Sequence, residues 1–141
     1  MSVKNHLPTV AVIGSNGFVG SQICRVLEVS CKFNLIRIVR GDNIRKLIDK
    51  ADIVIHAANP AGRFIAESNP QNDFIETVEK TFNILKAVNG RSVLLLSTLS
   101  CRTQMDTNYG RNRRACESLV LMQEGKVVRL GPMFGGDRKK D

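Results

Sequence analysis

The sequence is poor in the residues that build metal sites, disulfide frameworks and membrane spans. Among 141 residues it has no tryptophan, one tyrosine and two histidines. Its four cysteines are scattered, without a C-x-x-C pair or a nearby histidine cluster, which favours reduced thiols over disulfides or zinc ligands. No apolar run approaches the roughly 18 residues that a membrane span needs. With no signal-peptide pattern before the first strand, we expect a cytoplasmic protein. The two histidines and the scattered cysteines predict no metal site.

Positive charge is in excess. Lysine and arginine number 21 against 13 aspartate and glutamate residues, which gives a formal net charge of +8. Such a field attracts phosphates, whether on a dinucleotide, a nucleotide sugar or a nucleic acid. The basic residues are mostly spread along the chain and the usual nucleic-acid motifs are absent, so RNA or DNA binding is the weaker explanation.

Short apolar segments alternate with helical patterns along the whole chain. Strands are predicted at residues 9–13, 34–39, 52–58, 92–97 and 126–130. Helices are predicted at residues 19–29, 44–50, 73–88 and 109–122. Near-continuous apolar strands that alternate with helices are typical of a parallel sheet covered on both faces. The sequence therefore predicts one α/β domain, a Rossmann-like doubly wound sheet of about five parallel strands.

A glycine-rich segment follows the first strand and opens the first helix. Gly14, Gly17 and Gly20 have the spacing G-x-x-G-x-x-G, which differs from the commoner G-x-G-x-x-G. Glycines here let the backbone approach a pyrophosphate, which the N–H groups and partial charge of a helix N-terminus attract. The alternative is that the glycines serve only tight turns and close helix packing. Their position between strand and helix favours the dinucleotide site.

Four further segments match the motifs of one family in the expected order. Residues 52–58 look like its D-x-V-I-H-x-A strand, and residues 81–87 look like its T-x-N-L-L-E-A helix. Residues 95–98 look like the strand that ends in a catalytic Ser or Thr, and residues 128–135 look like its V-x-R-x-x-N-V-Y-G segment. With the glycines, these segments resemble the extended short-chain dehydrogenase/reductase family, the NAD-dependent sugar-nucleotide epimerases and dehydratases.

The resemblance implies roles for individual residues. Thr98 would polarise the substrate oxygen, Tyr109 would be the general acid/base, and Arg113 would stand in for the lysine of the family's Y-x-x-x-K motif. Asp42 would accept a hydrogen bond from the adenine amino group of NAD or NADP. The residues implied in cofactor binding are Gly14, Asn16, Gly17, Phe18, Val19, Gly20, Arg40, Asp42, Ala57 and Ala58.

Three departures from the family pattern bear on activity. Arg113 could lower the phenol pKa by its charge, but it cannot deprotonate and its planar fork fits a lysine's place poorly. One strand stands where the family has two strands and a helix, so the acidic residue for the ribose has no counterpart. Arg37 or Arg40 could meet a 2′-phosphate instead, or both could be solvated. The chain stops at Asp141, before the family's C-terminal substrate domain.

Two functions follow from these observations. The first is a minimal NAD(P)-dependent oxidoreductase, epimerase or dehydratase that acts on a carbonyl or alcohol, for example of a nucleotide sugar. The second is a catalytically degenerate Rossmann module that binds a nucleotide or a protein partner without turnover. The resemblance also implies a homodimer. His56 is expected to be a satisfied core histidine, and Arg129 is expected to form a structural ion pair.

Overall fold

The computed structural model describes residues 6–133, which form one parallel sheet with helices on both faces. The sheet order is β2-β1-β3-β4-β5, and every pairing is parallel. The predicted fold class is therefore confirmed. The strands are β1 (Thr9–Ile13), β2 (Asn34–Ile38), β3 (Ile53–His56), β4 (Ser92–Thr98) and β5 (Lys126–Leu130).

Seven α-helices occur among residues 6–133. They are α1 (Phe18–Ser30), α2 (Ile44–Ile48), α3 (Arg63–Ser68), α4 (Pro70–Phe74), α5 (Lys80–Val88), α6 (Ser100–Thr103) and α7 (Asn108–Met122). A π-helical segment, Ile75–Glu79, joins α4 to α5. Helix α1 packs on one face of the sheet, and α2, α5 and α7 pack on the other. None of the helices described is long and apolar enough to cross a membrane.

The long helix differs from its predicted course. It begins at Pro70 rather than at residue 73, because the Asn69 side chain accepts a hydrogen bond from the Asn72 N–H and proline is well placed at a first helical position. The Thr77 hydroxyl donates to the Asp73 carbonyl oxygen one turn back, inside the stretch where the helix widens to π geometry. Helices α3 and α6 were not predicted, because both are too short to show a periodic apolar pattern.

Two helices, α1 and α5, end at a residue in the left-handed conformation. Asn89 closes α5 in the left-handed conformation at φ 48°, as the Asn-Gly pair predicts. Cys31 closes α1 in the same conformation at φ 54° and is exposed, whereas Cys24, Cys101 and Cys116 are buried. Three of the four are thus buried, which confirms the prediction of mostly buried cysteines.

The topology fixes where a ligand could bind. The chain crosses from β1 to β2 on one side and then to β3 on the other, so the strand order reverses between β1 and β3. In open parallel sheets, ligands bind beyond the carboxyl ends of the strands at such a reversal. The single strand β2 forms the edge of the sheet beside β1.

Candidate dinucleotide site

The glycine turn is built so tightly that two of its glycines cannot carry a side chain. Gly14 has φ +82°, and a β-carbon there would lie 2.7 Å from the Ala57 carbonyl oxygen. A β-carbon on Gly20 would lie 2.0 Å from the Gly14 carbonyl oxygen. These contacts bring the start of α1 against the ends of β1 and β3. The turn therefore depends on the missing side chains, whatever it binds.

Gly17 has a different environment. It is exposed, its φ of −73° is open to any residue, and a β-carbon would contact only the Gly14 oxygen, at 3.3 Å. It is the N-cap of α1, yet no side chain caps that helix end. A bare backbone at an uncapped helix N-terminus is the arrangement that accepts a phosphate. The residues present thus fit the pyrophosphate of a dinucleotide.

A cavity of about 410 Å³ lies beside this turn, at the reversal between β1 and β3. Seven of the ten residues implied in cofactor binding line it, namely Gly14, Asn16, Gly17, Arg40, Asp42, Ala57 and Ala58. The other three, Phe18, Val19 and Gly20, form the first turn of α1. The structure thus gathers these ten residues at one end of the sheet, and their roles in binding stay predictions.

Two charged residues of the cavity wall were missed by the sequence analysis. Glu76 lies in the π-helical segment and Lys80 begins α5, and both line the cavity. Glu76 Oε2 accepts from Lys80 Nζ at 2.8 Å and from Arg40 Nη2 at 3.1 Å. Lys80, and then Arg40, lower the pKa of the Glu76 carboxyl below its usual range. Glu76 and Lys80 are four residues apart, with the glutamate first, and this spacing could have predicted an ion pair on one face of a helix.

Asp42 and Arg37 have partners that bear on their predicted roles. Asp42 Oδ2 accepts a hydrogen bond from the Val39 N–H at 2.9 Å, which closes the turn after β2. Arg37 Nη1 lies 2.8 Å from Glu28 Oε1 on α1, and Arg37 is not among the cavity residues. Of the two arginines considered for a 2′-phosphate, only Arg40 therefore faces the cavity.

The three residues implied in catalysis lie outside the lining of this cavity. Thr98 ends β4, and its hydroxyl oxygen accepts from the Ser100 N–H at 3.2 Å. Tyr109 lies in the first turn of α7, where its backbone N–H donates to Glu67 Oε1 at 3.1 Å. Arg113, one turn later, places its guanidinium carbon 4.0 Å from the centre of the Tyr109 ring.

Arg113 forms a buried ion pair with Asp73. Its Nη1 lies 2.8 Å from Oδ1 and 2.9 Å from Oδ2 of Asp73, and the two side chains are only 2% and 3% exposed. Its Nη2 donates to the carbonyl oxygen of Pro60, in the loop after β3. Asn112 donates to Asp73 Oδ2 at 2.6 Å. The guanidinium of Arg113 thus connects α7 to α4 and to the loop after β3, in which Pro60 lines the cavity.

His56, at the end of β3, is held neutral by burial. Its Nδ1 accepts from the Ala58 N–H at 3.3 Å, which leaves Nε2 to donate to the Thr81 hydroxyl at 2.9 Å. The Thr81 hydroxyl in turn donates to Cys116 Sγ at 3.4 Å. Desolvation, with a smaller contribution from the charge of Lys80, lowers the pKa of His56 from 6.5 to about 3. The prediction of a satisfied core histidine is confirmed.

The depressed pKa of His56 makes stability depend on pH. Because the unfolded chain takes up a proton near pH 6.5 and the folded chain does not, the contribution is complete above that pH. It is lost as pH falls towards 3, at up to about 1.4 kcal/mol per pH unit. Urea unfolding between pH 6.5 and 5 should show this slope in the parent chain, and His56→Gln should flatten it.

The second histidine supplies the control. His6 is exposed, so His6→Gln should leave the slope as it is in the parent chain. The interval above pH 5 also separates the histidine from Glu117, whose pKa is about 2 and whose contribution to stability is lost only at lower pH. A slope that survives in His56→Gln would contradict the prediction.

Glu117 anchors a second buried network, on α7. It accepts hydrogen bonds from Arg129 Nη2 at 2.8 Å and from Cys101 Sγ at 3.0 Å. Burial opposes its charge, and the hydrogen bonds from Arg129 and Cys101 outweigh that effect, so the pKa of Glu117 is lowered to about 2. Arg129 thus forms the structural ion pair that the sequence predicted, between β5 and α7.

Comparison with known proteins agrees with this geometry. A model of the NAD dependent epimerase/dehydratase family matches residues 10–120. A Pseudomonas aeruginosa protein, UDP-2-acetamido-2,6-beta-L-arabino-hexul-4-ose reductase, is 32% identical over an alignment 137 positions long, which covers 89% of this chain and 36% of that protein. The chain therefore spans about a third of the length of this relative.

Solved structures with the same fold include two enzymes of nucleotide sugars. A dTDP-4-dehydrorhamnose reductase from Bacillus anthracis in complex with NADP has a TM-score of 0.80 and 18% identity, over 91% of this chain and 55% of that one. A UDP-glucuronic acid 4-epimerase from Bacillus cereus in complex with UDP-glucuronic acid and NAD has a TM-score of 0.73 and 18% identity, over 86% and 55%. With its glycine turn, its sheet order and a family match over residues 10–120, the chain belongs to the NAD dependent epimerase/dehydratase family.

Proposed function

We propose that this chain binds NAD or NADP in the cavity beside the glycine turn and belongs to a protein that acts on a carbonyl or alcohol, for example of a nucleotide sugar. The observation that carries the proposal is the turn itself, where Gly14 and Gly20 force the start of α1 against the strand ends and Gly17 stays bare. The NADP and NAD complexes of the two structural neighbours support the choice of cofactor.

Gly17→Asp tests the binding site without removing the fold. An aspartate is a good helix N-cap, so the variant should unfold at the same temperature as the parent chain or higher. Its carboxylate would stand against the pyrophosphate, so calorimetric titration with NAD or NADP should show at least about a hundredfold weaker binding. Gly17→Ser has a similar capping group without the charge and should lose far less affinity. Equal affinity in all three proteins would contradict the proposal.

For catalysis, the proposal assigns the proton to Tyr109 and the substrate oxygen to Thr98. A bound nicotinamide would supply or accept hydride, while the tyrosine hydroxyl moves the proton and the threonine hydroxyl orients the substrate. Arg113 would contribute its positive charge beside the Tyr109 ring, from a position fixed by Asp73. These roles come from the family motifs and stay proposals for this chain.

A second function is favoured by one observation, the burial of Arg113. A guanidinium bound to Asp73 and to the Pro60 carbonyl is not free to take over a cofactor contact that a lysine would make. The chain would then bind a nucleotide, or a protein partner, without turnover. If the ligand is a nucleotide, this function predicts that the chain binds NAD or NADP but has no enzymatic activity.

Tyr109→Phe separates the two functions. If the chain is an enzyme, the variant should lose at least about a hundredfold in kcat with NAD(P) and a nucleotide sugar while its cofactor affinity stays the same. If the chain only binds, the parent should have no turnover to lose. Activity that is equal in the parent and in Tyr109→Phe would contradict the catalytic assignment of this residue.

We also propose that the chain lies in the cytoplasm and forms a homodimer, which the family resemblance implies. Helices α5 and α7 pack side by side, and each carries exposed apolar residues. Phe82 on α5 is 50% exposed and Met122 on α7 is 82% exposed. Pairing of these helices across a two-fold axis would cover such residues, and sedimentation equilibrium measures whether it occurs.

A further inference from the structure

We infer that Glu67 is a positioning residue for Tyr109, because its carboxylate holds the backbone of Tyr109 at the start of α7 and so sets where the phenol can meet a substrate. The inference rests on the proposed function, in which Tyr109 moves the proton. Three observations carry it: the few contacts of Tyr109, the two hydrogen bonds of Glu67, and the repetition of the same arrangement one turn later in α7.

Tyr109 has few contacts that fix its position. Its side chain is half-buried, and its hydroxyl makes no hydrogen bond within the part of the chain that the structure describes. One face of the ring contacts Arg113, with 4.0 Å between the guanidinium carbon and the ring centre. The backbone N–H has no partner within the helix, because Tyr109 lies in the first turn, and it donates to Glu67 Oε1 at 3.1 Å. Arg113 thus holds the ring and Glu67 holds the main chain.

Glu67 joins α3 to α7 with both of its carboxylate oxygens. Oε1 accepts from the Tyr109 N–H, and Oε2 accepts from the Asn108 side-chain amide at 3.1 Å. A negative charge is also favourable at the N-terminus of a helix. The helix does not need Glu67 in order to begin here, because the Thr107 hydroxyl already caps it by accepting from the Gly110 N–H at 3.0 Å. The two extra hydrogen bonds therefore orient the first turn.

The same arrangement is repeated one turn further along α7. Asp73, on α4, accepts from the Asn112 amide at 2.6 Å and from the Arg113 guanidinium at 2.8 Å. Each carboxylate thus binds an asparagine and the residue after it, on two successive turns of α7. The Asp73 side chain is only 3% exposed, whereas the carboxylate on α3 is exposed, so water can replace its hydrogen bonds at little cost to folding. Its loss should move Tyr109 without unfolding the protein.

Glu67→Gln tests the inference, because glutamine has the same size but one acceptor oxygen for two donors. Tyr109 is the single tyrosine of a chain without tryptophan, so the tyrosine band of the near-UV circular dichroism spectrum reports this residue alone. We expect the band to weaken. With NADPH and a 4-keto nucleotide sugar, kcat should fall at least about tenfold, since a displacement of about 1 Å costs about a hundredfold. The affinity for NADPH should not change, because Glu67 does not line the cavity.

The reciprocal double variant Glu67→Gln/Asn108→Asp should restore both hydrogen bonds. The glutamine amide can donate to the new carboxylate, and the glutamine oxygen can accept from the Tyr109 N–H. The double variant should therefore recover most of the dichroism and of kcat. Asn108→Asp alone should lose both, because it places two carboxylates side by side.

Asp52→Asn is the matched control. Asp52 is also an exposed carboxylate that accepts from a distant main-chain N–H, that of Thr9 at 2.8 Å, but it precedes β3 at the opposite end of the sheet. It should leave the tyrosine band and kcat unchanged.

A parent chain that loses turnover in Tyr109→Phe and keeps it in Glu67→Gln would overturn the inference and leave the proposed function standing. An unchanged tyrosine band in Glu67→Gln, or no recovery in the double variant, would also overturn the inference. A parent chain without turnover would overturn the enzymatic form of the proposed function, and the inference with it.

Discussion

Gly20→Ala is expected to lower the free energy of unfolding by about 3 kcal/mol and to abolish dinucleotide binding. The new β-carbon would lie 2.0 Å from the Gly14 carbonyl oxygen, a main-chain atom. Gly14 has little room to move away, because a β-carbon built on it would itself lie 2.7 Å from the carbonyl oxygen of Ala57, the residue after β3. The first turn of α1 must therefore separate from the strands. Urea unfolding and calorimetric titration with NADP measure the two effects.

Gly90→Ala is the control for the general cost of replacing a glycine. Gly90 has φ +83° in the turn after α5, and a β-carbon there would meet no atom within 4 Å. We expect only the strain of the left-handed backbone, about 1 to 2 kcal/mol, and no change in dinucleotide affinity. If Gly20→Ala behaves like Gly90→Ala in both measurements, the close approach of α1 to the strand ends is not what forms the site.

Asp73→Asn is expected to cost about 3 to 5 kcal/mol of folding free energy. The substitution keeps the shape of the side chain but removes the charge that faces Arg113, whose guanidinium is 2% exposed. A buried cation without its counterion loses more than the attraction, because water cannot replace the lost partner. The asparagine also leaves a single acceptor oxygen for Arg113 and Asn112, which now share two. Chemical denaturation at pH 7 measures the change.

The exposed pair Glu28–Arg37 is the control for this prediction. Its partners are about half exposed, with nitrogen and oxygen 2.8 Å apart, so water and salt screen their attraction. Glu28→Gln should change the free energy of unfolding far less than Asp73→Asn. A loss of the same size in both variants would contradict the view that burial makes the Arg113–Asp73 contact important.

Much of the fold was predictable because its determinants are local. The apolar strands, the glycine turn and the Asn-Gly end of α5 each follow from a few adjacent residues, and the family motifs fixed their order. The start of the long helix could also have been predicted, because asparagine followed by proline, here Asn69 and Pro70, is typical of a helix N-terminus. The apolar pattern alone does not show it. The π-helical segment could not have been predicted, because a hydrogen bond from one threonine hydroxyl to the carbonyl oxygen four residues earlier cannot be recognised in a sequence.

The site was less predictable, because its charged partners are distant in sequence. The sequence suggested that Arg113 stands in a lysine's place, but not that Asp73, forty residues away, would bind it in the protein interior. Glu76 was recognisable only as half of a helical pair with Lys80, and its contact with Arg40 spans thirty-six residues. Such contacts depend on how α4, α5 and α7 pack, which no local pattern states.

The end of helix α1 that lies away from the cavity carries an exposed cysteine that can be labelled. It runs for 13 residues, about 20 Å, from the glycine turn to the left-handed Cys31 at its far end. Cys31 is exposed while the other three thiols are buried, so a maleimide dye should couple there alone under native conditions. A fluorophore at that place would mark each molecule once without touching any group that lines the cavity.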